Sequence, residues 1–104
     1  MQITNRFKHL AEKNFVEKRS VQEYAAMLNI TPKHLSEVVK ETVGKPPIQI
    51  IQDLLLLEAK VLLRSTDMTS SQIAHELRFG DQSHFSRFIK QRTGMSPQIL
   101  RKHL

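Results

Sequence analysis

The sequence predicts an all-α fold of about seven helices, arranged as two helix-turn-helix units joined by a central connector helix. Three observations predict it. The segment 20–47 is repeated at 69–97. Each copy carries its own helix start and stop signals. Apolar residues recur at helical spacing along the chain, and no segment alternates apolar and polar residues as a half-buried strand does.

The first helix is expected over Ile3 to Phe15, where Ile3, Phe7, Leu10, Ala11 and Phe15 share a face that covers the first unit. Ser20-Val21-Gln22-Glu23 then forms a capping box, in which the hydroxyl and the acidic side chain satisfy each other's backbone N–H groups. The short helix it starts carries Ala25 inward, small enough for a second helix to cross closely, and ends by Leu28. After the turn Asn29-Ile30, Thr31-Pro32 supplies an N-cap and a proline at the first helical position. That helix stops at Gly44, with prolines just beyond.

Ile48 to Ser65 is a long helix crowded with Ile50, Ile51, Leu54 to Leu57, Ala59, Val61, Leu62 and Leu63. Its apolar residues occupy more than one face, so it is expected to pack on both sides. About 18 residues of helix rise about 27 Å, close to the 34 Å or so of one DNA helical repeat.

The second unit repeats the first. At an offset of 49, Ser20 matches Thr69, Glu23 matches Gln72, Ala25 matches Ala74, Leu28 matches Leu77 and Ile30 matches Phe79. From there the offset is 50, so that Thr31 matches Asp81, His34 matches His84, Leu35 matches Phe85, Lys40 matches Lys90, Gly44 matches Gly94 and Pro47 matches Pro97. One inserted residue, most simply Gly80, accounts for the change. Pro97 to Leu104 reads as a short closing helix. The expected organisation is 1–47 for the first unit, 48–66 for the connector and 67–104 for the second, together one domain.

Lys and Arg number 16 against 10 Asp and Glu in 104 residues, a net charge of +6. Such a balance suits a polyanion, because each Lys or Arg that contacts a phosphate releases counterions. The distribution sharpens this. From Ser83 to Leu104 there are five basic residues and no acidic one. The absence of cysteine excludes disulfides and thiolate catalysis. His9, His34, His75, His84 and His103 never pair at i,i+3 or i,i+4 spacing, and no glycine-rich phosphate loop is present. Neither an enzyme nor a metal or cofactor site is expected. No apolar run approaches the length of a membrane span and there is no signal-like core, so the expectation is a soluble, cytoplasmic protein.

Residues at i, i+3, i+4 and i+7 share a helix face. In the second helix of the first unit, Leu35, Val38 and Val39 form the apolar face, and Lys33, Ser36, Glu37 and Lys40 the other. In the second unit Phe85, Phe88 and Ile89 are expected inside and Ser83, Ser86, Arg87 and Lys90 outside. The outward residue types are those that read base edges: Arg pairs with guanine, Glu accepts from cytosine and Ser adapts. The N-terminal part of such a helix reaches deepest, which makes Lys33, Ser36, Glu37, Ser83 and Arg87 candidate base readers, with His34 and His84 beside them. Helix starts and flanking bases supply the phosphate candidates. These are Ser20, His34, Lys40, Lys45, Thr69, Ser70, Lys90, Arg92 and Arg101. The rival reading is a helical protein-interaction module resting on the Leu54 to Leu57 run.

The stretch Ile73-Ala74, then Phe79-Gly80-Asp81-Gln82-Ser83-His84-Phe85-Ser86-Arg87-Phe88, then Lys90, Gly94, Ser96-Pro97 and Arg101 resembles the DNA-binding domain of the AraC/XylS family of bacterial transcription regulators. Glu58-Ala59-Lys60 with Leu62-Leu63 is similar to the family's connector helix. The resemblance, over about residues 20 to 102, implies two recognition helices entering successive major-groove segments of double-stranded DNA. It implies activation through RNA polymerase, and a separate ligand-binding or dimerising domain before this one. It places base reading at Lys33, Ser36 and Glu37, and at Ser83, His84 and Arg87. The opening helix starts with almost no leader, so the chain is expected to be a piece of a longer protein.

Three positions depart from the family pattern. Arg78 stands where glycine is usual in the second turn. Because Arg resists a positive φ, that turn is expected to shift, with Gly80 taking the left-handed position. Leu54 and Leu55 replace a usual Arg and leave apolar surface for a partner. Leu100 replaces an aromatic.

Overall fold

The computed structural model describes residues 2–104. Seven helices follow in order: α1 (Ile3–Asn14), α2 (Val21–Met27), α3 (Pro32–Val43), α4 (Pro47–Ser65), α5 (Ser70–Glu76), α6 (Gln82–Thr93) and α7 (Pro97–His103). No strand occurs among the described residues. The chain forms two compact units, one ending at Leu54 and the other beginning at Leu55, so the division falls inside α4.

The first unit closes around Phe7 and Ala11 of α1, Tyr24 and Ala25 of α2 with Leu28 at its end, Leu35 and Val39 of α3, and Ile50 and Ile51 at the start of α4. Phe7 and Tyr24 meet edge to face, 5.3 Å between ring centroids. Such a pair adds about 0.5–1.5 kcal/mol beyond its area burial. The buried Tyr24 hydroxyl donates to the Lys18 carbonyl at 2.7 Å, and burial pushes the phenol up to about 12. Thr4 is buried on α1, and its hydroxyl donates to Thr42 of α3 at 3.1 Å.

The second unit buries Leu55, Ala59 and Leu63 of α4, Ile73, Ala74 and Leu77 from α5 and its turn, Phe79, Phe85 and Ile89 from the turn and α6, and Leu100 of α7. Arg101 fastens it. Its guanidinium donates through Nε to the Leu63 carbonyl at 2.7 Å, and through one Nη to the carbonyls of Thr66 (3.2 Å) and Met68 (2.7 Å). A carbonyl in the last turn of a helix has no partner within the helix, and here one planar side chain gathers that of Leu63 together with those of Thr66 and Met68 beyond the helix end.

The α2–α3 and α5–α6 turns are the same structure. Asn29 and Arg78 both adopt the left-handed conformation, with φ of 57° and 58°. The N–H of Ile30 donates to the Ala25 carbonyl at 3.0 Å and that of Phe79 to the Ala74 carbonyl at 2.8 Å. Asn29 and Arg78 each donate one residue inward, to Ala26 and His75, both at 3.1 Å. This bond pair is the Schellman arrangement that ends a helix with a left-handed residue. The expected shift of the second turn is therefore wrong. Arg78 takes the positive φ itself, and Gly80 is not among the glycines with positive φ. The paired backbone bonds hold Arg78 there against its own preference, while Gly80 supplies the extra residue before Asp81.

α4 also departs from expectation. Ile51, Leu55, Ala59 and Leu63 form its buried stripe, but Leu57 is 60% exposed and Val61 36%. Leu55 is core and Leu54 packs against the core of the first unit, so the apolar surface expected at these two positions lies instead at Leu57 and Val61.

Candidate nucleic-acid interface

α3 and α6 begin with side-chain caps that set their direction. Thr31 Oγ1 accepts from the His34 N–H at 3.1 Å, and Asp81 Oδ1 from the His84 N–H at 2.8 Å. Both helices end on a left-handed glycine, Gly44 (φ 80°) and Gly94 (φ 77°). Between cap and glycine the two match in burial at every position but Thr42 and Arg92. Leu35 and Phe85, then Val39 and Ile89, are buried; Ser36 and Ser86, then Val38 and Phe88, are half-buried. Lys33 and Ser83, His34 and His84, Glu37 and Arg87, and Lys40 and Lys90 are exposed.

The candidate base readers therefore fall on the solvent side of their own helix, with Ser36 at its edge. Lys33, Ser36, Glu37 and Lys40 share a face of α3; Ser83, Ser86, Arg87 and Lys90 share the matching face of α6. His84 is not a free arm. Its ring lies edge to face against Phe79 at 5.3 Å, and Phe79 also packs on Phe85 (5.4 Å) and Phe88 (5.2 Å). This cluster locks the turn onto α6 and so fixes the aim of the helix. Gln82, the exposed first residue of α6, was missed by sequence reasoning. Its amide can pair with adenine in the same way that Arg pairs with guanine, and its place directly after the Asp81 cap was the available signal.

The phosphate candidates separate into two groups. Lys40, Lys90 and His34 are exposed and Ser70 half-buried, and Thr69 is exposed but engaged in its own capping box. The others are occupied. Ser20 Oγ accepts from the Glu23 N–H at 3.2 Å and donates to the Glu23 carboxylate at 2.9 Å. That hydrogen bond, with the backbone of Ser20 and Arg19 and the charge of Lys18, holds the Glu23 carboxyl below the usual carboxylate range. A carboxylate thus sits on the start of α2, where a phosphate would otherwise approach. Thr69 makes the neutral version of the same box, its N–H donating to Gln72 Oε1 at 2.8 Å. Lys45 Nζ is paired with Asp53 Oδ2 at 2.8 Å. The Arg92 guanidinium lies over the Phe88 ring, 5.5 Å from its centroid. Arg101 is committed to the carbonyls of Leu63 at the end of α4 and of Thr66 and Met68 beyond it. Three of its N–H donors are thereby held inside the second unit, which sets it apart from the exposed phosphate candidates.

Among the described residues no group of three His, Asp or Glu is placed to hold a metal ion, and no helix is long and apolar enough to cross a membrane.

Comparison with known proteins adds to this geometry. A family model described as a helix-turn-helix domain matches residues 24–103. The HTH-type transcriptional activator RhaS of Enterobacter sp. (strain 638) is 31% identical over 91 residues, which is 88% of this chain and 33% of that protein. The chain thus spans about a third of the length of the curated relatives it matches. Among solved structures, the C-terminal domain of AraT, a response regulator from Geobacillus stearothermophilus, superposes with a TM-score of 0.92 at 27% identity, covering 100% of this chain and 87% of that one. The DNA-binding domain of AdpA, solved in complex with a target DNA, shares the fold with a TM-score of 0.86 at 18% identity, over 99% of this chain and 93% of that one.

Proposed function

This chain belongs to the AraC/XylS family, as its helix-turn-helix domain, and from that premise we propose that it binds double-stranded DNA sequence-specifically and regulates bacterial transcription, as an activator. Each unit inserts its second helix, α3 or α6, into a major-groove segment, and the two segments are successive. Lys33, Ser36, Glu37, Ser83, His84 and Arg87 read bases, with Gln82 beside them. His34, Lys40, Thr69, Ser70 and Lys90 hold phosphates. RNA polymerase and an effector-binding or dimerising domain of a longer protein are the partners of this reading, its setting is the cytoplasm, and no catalytic role is proposed.

The observation that carries the proposal is the matched pair of helices. Two segments of different sequence keep the same residues buried, expose the same positions, and fill those positions with base-reading side chains. The net charge of +6 supports it. The test is salt dependence. Affinity for a duplex containing the selected site should fall log-linearly as salt rises, by more than tenfold between about 50 and 200 mM if several phosphates are contacted. Binding insensitive to salt would sink the proposal.

A further inference from the structure

We infer that the second unit carries a docking groove for an acidic amphipathic helix of a partner protein, separate from the DNA-reading face of α6. Leu57, Lys60, Val61 and Arg64 stand at i, i+3, i+4 and i+7 on α4 and so form one stripe. With Leu104 they line a shallow cavity of about 150 Å³. The floor is apolar: Leu57 is 60% exposed, Val61 36% and Leu104 42%. Single exposed apolar residues are ordinary, whereas a contiguous set beside a cavity marks an interaction site.

The rim selects the occupant. Lys60 and Arg64 are like charges one helical turn apart, an arrangement that destabilises a helix slightly. Neither side chain has a hydrogen bond or ion pair among the described residues. A carboxylate set between them relieves the repulsion and makes charge-assisted hydrogen bonds, bidentate at the guanidinium. A helix that places a large apolar side chain in the cavity and Glu or Asp one turn away satisfies floor and rim together, the helix-in-groove mode of recognition. Phosphate would satisfy the rim alone and leave Leu57 and Val61 in water.

The test uses the whole chain and a designed helical peptide with two leucines one turn apart, flanked by glutamates. A matched peptide with lysines in place of the glutamates is the control. Saturable binding followed by NMR should shift Leu57, Lys60, Val61 and Arg64, and the lysine peptide should bind at least tenfold more weakly. Leu57→Ser, at an exposed site, should keep the melting temperature and DNA affinity while lowering peptide affinity at least tenfold. Lys60→Glu with Arg64→Glu should reverse the preference between the two peptides. The inference is overturned if neither peptide binds, or if the two bind alike. It is equally overturned if the charge-reversed variant loses DNA affinity and the wild type ignores the peptide, which would make the rim a phosphate contact. Self-association that Leu57→Ser abolishes would make the occupant a second copy and overturn it too. Loss of DNA binding by the wild type would count against the proposed function and leave the groove untouched.

Discussion

The Arg101 side chain donates its Nε–H to the Leu63 carbonyl at 2.7 Å, across 38 residues of sequence. With the bonds to Thr66 and Met68, it ties α7 to the end of α4 and to the segment leading into α5. Arg101→Ala should lower stability by about 2–3 kcal/mol, because charge-assisted bonds are lost and half-buried carbonyls are left without partners. Lysine should not restore it, since a point ammonium lacks the planar fork. The salt slope of DNA binding, measured well below the melting temperature, should be unchanged. A slope reduced by about one unit with unaltered stability would return Arg101 to the phosphate contacts.

Arg78 is a long side chain in a conformation that favours glycine. A non-glycine residue there stores roughly 1 kcal/mol of strain. Arg78→Gly should therefore raise unfolding stability by no more than about 0.6 kcal/mol, the larger unfolded-state entropy of glycine offsetting about 0.4–1 kcal/mol of the gain. Denaturant titration measures it. A loss of stability would mean that the Arg78 side chain makes a contact worth more than the strain.

Tyr24 is the only tyrosine and the chain has no tryptophan, so phenolate absorbance reports on this one group. Burial, followed by the charges of Glu23 and Glu17, raises it to about 12. A proton held more tightly in the folded state than in the unfolded one stabilises the fold at all pH values below the unfolded pKa of about 10. That contribution is lost as pH rises from about 10 through about 12. The phenol should titrate near 12, or together with alkaline unfolding followed by circular dichroism. Titration near 10 with intact helicity would contradict the buried hydrogen bond to Lys18.

Arg87 and Lys90 lie one turn apart on the exposed face of α6, and the proposed function gives them different roles. Arg87→Ala should cost about 1–3 kcal/mol at one base position and relax preference there, whereas Lys90→Ala should weaken binding to all sequences and lower the salt slope by about one. Selection from a random duplex pool with each variant separates the two. Uniform loss for Arg87→Ala would make it a phosphate contact.

What could be read from the residues was local. The capping boxes at Ser20 and Thr69, the caps at Thr31 and Asp81, and the stops at Gly44 and Gly94 all depend on neighbours within four residues. Each formed where its pattern stood. The buried faces of α3 and α6 followed from periodicity for the same reason. Arg101 could not be read, because its acceptors lie 33 to 38 residues away and a basic residue looks the same whether it points out or in. Ser20 was legible as a cap, and its capping partner Glu23 sets a carboxylate on its hydroxyl. Arg78 was judged by intrinsic preference alone, and the two turn hydrogen bonds outweigh that preference. Leu57 stands in an apolar run read as surface for a partner, and only packing shows that Leu55 is buried while Leu57 is exposed.

Everything proposed about function turns on α3 and α6 each occupying a major groove. Hydroxyl-radical footprinting and methylation interference on the selected duplex test this directly. Two interference clusters, centred about one helical turn apart, should appear, one losing protection with Lys33→Ala and Glu37→Ala and the other with Ser83→Ala and Arg87→Ala. A single cluster, or two that respond alike to changes in either helix, would contradict the account.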